Sequence, residues 1–478
     1  MCGIVFLAGP RAEARIATCL ERLRHRGPDD QQVWSDHELA LGFARLAING
    51  AGASGRQPFR YGDLIGAING EIYNHRALAE AYNLEPSPCD THVVLPLVAR
   101  IGPRVIDQLD GFYAAIVLRP STREVLCLRD HIGKKPLFVG RSQSEIFIAS
   151  ELKAFEEVEW FEPIPLGVST VDMQTGLAVQ VATHEPLRPS DELPRLFEDA
   201  VRKRLPDPEQ PVGVFLSGGL DSSLVAAVVA HQRSDATYFT LGDADGPDRR
   251  AVEAVVDALG LNDVRAVPLP AREQIPELLR RVVHATESFN PSIVSNGLAT
   301  YLLAEAAHNS GIKVVLTGEG ADELFGGYHT FLPDDPWNAV RRQLIDDMNL
   351  TELRRLDMSC MAHSVEARCP FLDRAVRGFS DSLTFDGLYA REENKVTLRR
   401  CFKGLLPPEV LHRRKTSFDV GSGVRSEVVS YLRGNGRSER DELRDLWRQQ
   451  FPFEASAPYF HAYPVFDAAI DRRGAAHR

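Results

Sequence analysis

Two parts of the chain carry residue types that could make and break bonds. The first is Met1-Cys-Gly-Ile4. A small second residue permits removal of the initiator Met, which leaves Cys2 with its own α-amino group. That amine, with a pKa of ~8, can take the thiol proton near neutral pH, so one residue supplies nucleophile and base. Taken alone, Cys2 fits a buried structural cysteine better. Other residues shift that balance. Asn69-Gly-Glu-Ile-Tyr-Asn74 follows a strand pattern and offers an amide donor at Asn69 and a backbone N–H at Gly70. Together these make an oxyanion hole for a tetrahedral intermediate. Arg45 ends another strand, and Cys89-Asp90-Thr91 opens a helix, where Asp90 could equally be an N-cap.

The second part is Ser217-Gly-Gly-Leu-Asp-Ser-Ser223, between an apolar strand ending at Leu216 and a helical pattern from Ser222. Gly218 and Gly219 let backbone N–H groups turn toward an anion. Ser217, Ser222 and Ser223 add hydroxyl donors, and the helix N-terminus adds partial positive charge. This is a phosphate cradle without the Gly-Lys-Ser/Thr ending of a Walker loop. It resembles the pyrophosphate loop of enzymes that adenylate a carbonyl oxygen. On that resemblance Leu216, Leu220 and the loop between them hold ATP, and Asp221 suits Mg²⁺. A second loop, Thr317-Gly-Glu-Gly-Ala-Asp-Glu323, follows the strand 313–316. Three carboxylates in a glycine-rich turn are costly unless a metal or cation pairs with them. Thr317 and Gly318 extend the ATP site, Asp322 completes a magnesium pair with Asp221, and Glu319 is the candidate general base. Lys415, in Arg413-Arg-Lys-Thr-Ser-Phe418, is the candidate to neutralise the α-phosphate, with Lys395 a weaker one for the same site.

These residues need elements to hold them. Up to about residue 185 the chain is a succession of short β-rich runs, among them 3–8, 39–48, 64–72 and 112–118, with helical patterns at 12–23 and 91–101. Such clustering predicts an α+β layered domain. His184-Glu-Pro-Leu-Arg-Pro-Ser-Asp-Glu-Leu-Pro194 breaks regular structure and marks a linker at 186–194. Beyond it strands and helices alternate, which predicts right-handed βαβ units and a parallel sheet, with ligands beyond the carboxyl ends of the strands. Helices are expected at 222–231, 248–259, 271–286 and 298–309. The charge-dense stretch 437–448 reads as a solvated helix face.

The front half resembles the class II glutamine amidotransferase domain, an N-terminal-nucleophile αββα fold. Arg24-His-Arg-Gly-Pro-Asp29, Arg45-Leu-Ala-Ile48, Asn69-Gly-Glu71, Asp110-Gly-Phe112, Arg129-Asp130, Lys135-Pro-Leu137 and Ser150-Glu-Leu-Lys153 follow Cys2 in the family's order. The resemblance implies that Cys2 attacks a glutamine amide, Arg45 holds the α-carboxylate, Asp90 the α-ammonium, and Glu71 helps orient the substrate. From about 195 to about 423 the chain resembles the synthetase domain of glutamine-dependent asparagine synthetases, a PP-loop α/β fold. The implied domains are 1–185 and 195–478. The implied reaction uses glutamine-derived ammonia, passed internally, and ATP–Mg²⁺ to amidate a carboxylate, with aspartate as leading acceptor and a homodimer admitted. A different carboxylic acid is the alternative, and a non-catalytic nucleotide-binding regulator is a further one. The family often carries an Ile-Arg-Ala-Ser stretch before the helix leading to the acidic loop. Here the corresponding stretch is Ser292-Ile-Val-Ser-Asn-Gly297, with Ser295 in place of the arginine.

Composition narrows the classes further. The chain has 478 residues, which at ~150 per domain suggests about two to four domains. Net charge is −11, against non-specific nucleic-acid binding. No apolar run approaches the ~18 residues of a spanning helix, so no membrane partner is expected. Seven cysteines, an odd number with no Cys-x-x-Cys, disfavour a disulfide framework and a thiolate zinc site, and fit a reducing cytoplasm.

Overall fold

A computed structural model describes residues 2–451, apart from 51, 157, 188–191, 244–245, 247, 329, 391–392 and 434–437. Part of the expected linker and the end of the chain therefore lie outside the described residues. The chain folds as two compact units, one running to Glu185 and the other built mainly from Pro186–Cys360 and Val365–Gln449.

The first unit holds two antiparallel six-stranded sheets. The strands are β1 (Cys2–Ala8), β2 (Asp30–Asp36), β3 (Leu39–Arg45), β4 (Phe59–Tyr61), β5 (Leu64–Ile72), β6 (Gly111–Arg119), β7 (Glu124–Arg129), β8 (Phe138–Arg141), β9 (Ile146–Ala149), β10 (Trp160–Pro163), β11 (Gly167–Val171) and β12 (Ala178–Ala182). One sheet runs β10-β8-β9-β1-β3-β2, the other β12-β11-β7-β6-β5-β4. Cys2, Ile4, Phe6 and Ala8 join one core with Ile65, Ala67, Ala114 and Ile116 of the facing sheet. The opposite face of β3 lies under the helix Ala12–Glu21, where Gly42 leaves room for Ile16 and Leu20. The outer face of the second sheet packs Ile68, Tyr113 and Val117 against Val94, Leu97 and Val98 of the helix Val94–Ile101. The result is helix, sheet, sheet, helix. It explains why β1 reads as an unbroken apolar run: both its faces are covered.

The second unit is built on a parallel sheet of β13 (Val212–Phe215), β14 (Thr237–Leu241), β15 (Asp263–Val267), β16 (Val314–Leu316) and β17 (Glu366–Arg368). The strand order is β15-β14-β13-β16-β17. The chain winds outward from β13 to β15, then returns to lay β16 on β13's other side. That reversal is a topological switch point, and both glycine-rich loops leave its two strands. The helix after β13 begins at Leu220, two residues before the expected start, so Asp221 sits in its first turn. Helix 298–309 begins earlier still, as Pro291–Asn309, with Asn290 Oδ1 accepting from the Ser292 N–H. Its first turns lack an apolar stripe because one face borders a cavity. The charged stretch near the end is the helix Glu439–Arg448, whose Leu443 and Trp447 are buried.

Candidate functional site

In the first unit, β1 and β3 pair so that Cys2 lies directly opposite Arg45. The Cys2 N–H donates to Asn69 Oδ1 at 2.8 Å. Cys2 is on one sheet and Asn69 on the other, so this bond ties the two sheets together at the site. Asn69 is fully buried, and its Nδ2 has no hydrogen-bond partner. A buried amide donor left unsatisfied costs ~1–3 kcal/mol, so its retention beside Cys2 calls for a ligand oxygen. Gly70 has φ +154°, and a Cβ there would lie 2.2 Å from the Phe112 carbonyl oxygen. Only glycine lets β5 approach β6 this closely.

The other expected residues converge as well. Arg45 donates to the Gly52 carbonyl at 2.7 Å and to that of Gly50, so both carbonyls face the guanidinium. Glu71 accepts from Asn49 Nδ2. Asp90 is not an N-cap: it starts a short 3₁₀ turn, and its Oδ2 accepts the Ile72 N–H at 2.6 Å, fixing the end of β5. Arg26 is a positioning residue that the residue types did not single out. It is fully buried, donates from Nε to the Cys2 carbonyl at 3.1 Å, and pairs with Glu151. Its only sequence signal is its place in Arg24–Asp29. Burial pushes the nearby Cys89 thiol up to about 11.

In the second unit, both loops border a cavity of about 220 Å³. Ser217 Oγ lies 3.0 Å from Ser222 Oγ, and Ser222 Oγ also receives the Ser217 N–H at 3.2 Å. Gly218 has φ +66°, with Val252 N only 2.7 Å from where a Cβ would stand. A Cβ on Gly318 would lie 2.7 Å from Ser222 N, so the two loops touch. Ser223 is fully buried on the helix side, and Leu216, the first residue after β13, donates to the Phe239 carbonyl at 2.8 Å. Thr317 Oγ1 sits 3.7 Å from Cys369 Sγ behind the loop.

Asp221 and Asp322 face a shared pair of lysines. Lys395 Nζ is 2.6 Å from Asp221 and 2.5 Å from Asp322. Lys415 Nζ is 2.5 Å from Asp322 and 3.9 Å from Asp221. Burial works to raise both carboxyls. The two close lysines outweigh it at Asp322, which is held below the usual range; Asp221, with one close lysine, is raised. Lys395, the weaker candidate by sequence, is the more buried and bridges both aspartates. A Cβ on Gly327 would stand 1.9 Å from Asp322 Oδ1, so glycine makes room for the cluster. The other carboxylates of the acidic loop are also partnered. Glu319 is 2.5 Å from Arg355 Nη2, and Glu323 accepts from the Tyr328 hydroxyl.

Ser295 is fully buried and does not border the cavity. The residues of its helix that do are Ser292, Asn296 and Thr300, one turn apart. Among the described residues no group of three or more His, Cys, Asp or Glu is arranged to hold a metal ion. The buried, partnerless Asp221 Oδ1 nevertheless fits one carboxylate ligand of a hard cation. None of the seven cysteines forms a disulfide. No helix among the described residues is long and apolar enough to cross a membrane.

An αββα unit with its chemistry at the start of the first strand, followed by a parallel-sheet unit with glycine-rich loops at the switch point, defines a glutamine amidotransferase joined to an ATP-using ligase. Family profiles agree: the glutamine amidotransferase domain matches residues 1–185, and asparagine synthase matches 192–349 and 337–452. The chain belongs to the glutamine-hydrolysing asparagine synthetase family. It is 31% identical to asparagine synthetase [glutamine-hydrolyzing] 2 of Oryza sativa subsp. japonica, over 88% of this chain and 78% of that one. It is 32% identical to asparagine synthetase [glutamine-hydrolyzing] 3 of Arabidopsis thaliana, over 88% and 79%. Asparagine synthetase B [glutamine-hydrolyzing] of Escherichia coli (strain K12) is 30% identical, over 90% and 83%.

Proposed function

We propose that this chain makes asparagine from aspartate, drawing nitrogen from glutamine and driving the step with ATP. Residues 1–185 form the glutaminase domain, 186–194 the linker and 195–478 the synthetase domain. Removal of Met1 exposes the Cys2 amine, which takes the thiol proton as sulfur attacks the glutamine side-chain amide. Asn69 Nδ2 and the Gly70 N–H hold the oxyanion; Arg45, Glu71 and Asp90 hold the amino-acid head of glutamine. The observation that carries this half is the buried, unsatisfied Asn69 donor beside Cys2.

In the second unit the 217–223 loop, with Leu216, Thr317 and Gly318, cradles ATP. The acceptor carboxylate attacks the α-phosphorus and pyrophosphate leaves. Ammonia then attacks the acyl carbon, AMP departs with the C–O electrons, and Glu319 takes the ammonia proton. Lys415 and Lys395 balance phosphate charge. Asp221 and Asp322 would hold Mg²⁺ together with phosphate oxygens, and the ion would neutralise charge on the leaving pyrophosphate. A reducing cytoplasm suits a catalytic thiolate.

The test is pyrophosphate release from the purified protein with ATP, Mg²⁺ and glutamine, with and without aspartate, and mass spectrometry of the products. Aspartate-dependent pyrophosphate with asparagine formed is expected. Intact glutamine hydrolysis with no aspartate response would overturn the acceptor assignment.

A further inference from the structure

The amidation reading requires a cation for the acceptor's second carboxylate, and Ser295 cannot supply one. Of the six basic groups bordering the cavity, Arg414 is exposed and four are engaged by aspartates or backbone carbonyls. Lys395 and Lys415 sit on Asp221 and Asp322. Arg413 is 2.5 Å from Asp248 and donates to the Ser217 carbonyl at 3.4 Å, on the phosphate-loop side. Arg399 donates from Nε to the Asn394 carbonyl at 2.8 Å and from Nη1 to that of Leu411.

Arg355 is paired as well, but with Glu319 rather than with an aspartate of the phosphate side. It is 8% exposed and borders the cavity from the helix Glu352–Met361. Its Nη1 donates to Thr300 Oγ1 at 2.9 Å, which places the guanidinium against the polar face formed by Ser292, Asn296 and Thr300. Its Nη2 is 2.5 Å from Glu319 Oε1. Three residues earlier, on the same side of the same helix, Glu352 also borders the cavity. A guanidinium and a carboxylate side by side are complementary to a carboxylate and an ammonium on one carbon.

Building on the amidation reading, we propose that Arg355 and Glu352 form the recognition pair for the amino-acid head of the acceptor. Arg355 takes the α-carboxylate and Glu352 the α-ammonium, which leaves the side-chain carboxylate to reach the α-phosphorus. The arriving α-carboxylate also replaces Glu319 on Arg355. Glu319 is thereby released from its ion pair in time to accept the ammonia proton, so acceptor binding arms the base.

The test compares aspartate with succinate, which lacks the amino group, and β-alanine, which lacks the α-carboxylate. Pyrophosphate release is measured with ATP, Mg²⁺ and ammonium. The wild-type chain should prefer aspartate over both. Arg355→Met should raise KM for aspartate ~10- to 100-fold and narrow the aspartate/β-alanine ratio, while leaving the aspartate/succinate ratio in place. Glu352→Gln should do the reverse. Arg355→Lys should recover part of the aspartate/β-alanine ratio, and titration with ATP should show that the variants retain their nucleotide site. Variants that bind ATP and lose rate with both ratios unchanged would overturn the recognition pair alone. A wild-type chain with no aspartate response would overturn the amidation reading together with the pair.

Discussion

Asn69 has two ends, and they do different jobs. Its oxygen anchors the Cys2 nitrogen, while its nitrogen is buried and unsatisfied. The oxyanion that forms on the amide carbonyl oxygen as the Cys2 sulfur adds to its carbon would satisfy that nitrogen most fully during the reaction, so the gain falls on the transition state. Asn69→Ala should therefore lower kcat for glutamine hydrolysis ~10²- to 10³-fold. An unchanged kcat would reduce Asn69 to a tether. At this scale the sequence was most legible where chemistry and spacing coincide, as in Asn69-Gly70 and Ser217–Ser223. It was least legible where a partner lies far along the chain. Arg26 pairs with Glu151, 125 residues away, and Lys395 with Asp221, 174 residues away. Locally Arg26 is marked only by its place in Arg24–Asp29 and Lys395 only as the weaker of two lysine candidates, because the fold alone brings each to its partner.

The first strand depends on such a distant contact. The fully buried Glu151 joins Arg26, His25 and Lys153, and Arg26 in turn holds the Cys2 carbonyl. Burial alone would raise the Glu151 carboxyl, but Lys153, His25 and Arg26 outweigh it and hold it well below the ordinary range. A carboxyl lowered in the folded state stabilises the fold above its unfolded pKa of ~4.3, and that stability is lost as pH falls further. Glu151→Gln should cost ~3–5 kcal/mol at pH 7, because it leaves buried cations without their counter-charge. It should also flatten the loss of stability below about pH 4.3. Denaturant melts at pH 7 and at pH 4 would check both; parallel pH profiles for the two proteins would remove Glu151 from the acid response. Helix boundaries show a related limit of sequence reading. The stretch 292–297 reads as lying before the helix rather than within it, since Ser292 and Asn296 border a cavity and break the apolar period that announces a helix.

Among the described residues, the groups proposed for each centre lie within one unit: those around Cys2 on β1, β3 and β5, those around the cavity on the loops after β13 and β16. The two-part organisation was legible because the strand pattern changes from clustered to alternating near residue 185, and because both glycine-rich loops fall at strand ends. The engaged lysines and the Arg355–Glu319 pair were not, since both arise between side chains far apart in the sequence. Two centres whose groups lie in different units should be separable by single substitutions. Cys2→Ala removes the nucleophile but leaves every group around Asp221 and Glu319, so it should lose glutamine hydrolysis and still form amide with added ammonium. Glu319→Ala should do the opposite, hydrolysing glutamine and binding ATP without forming amide. Measuring glutamate, pyrophosphate and amide from both variants decides the matter. Glutamine hydrolysis persisting in Cys2→Ala would remove Cys2 as nucleophile. Normal amide yield from Glu319→Ala would move the base elsewhere on the cavity wall, where Glu352 is the carboxylate contributed by the helix that also carries Arg355.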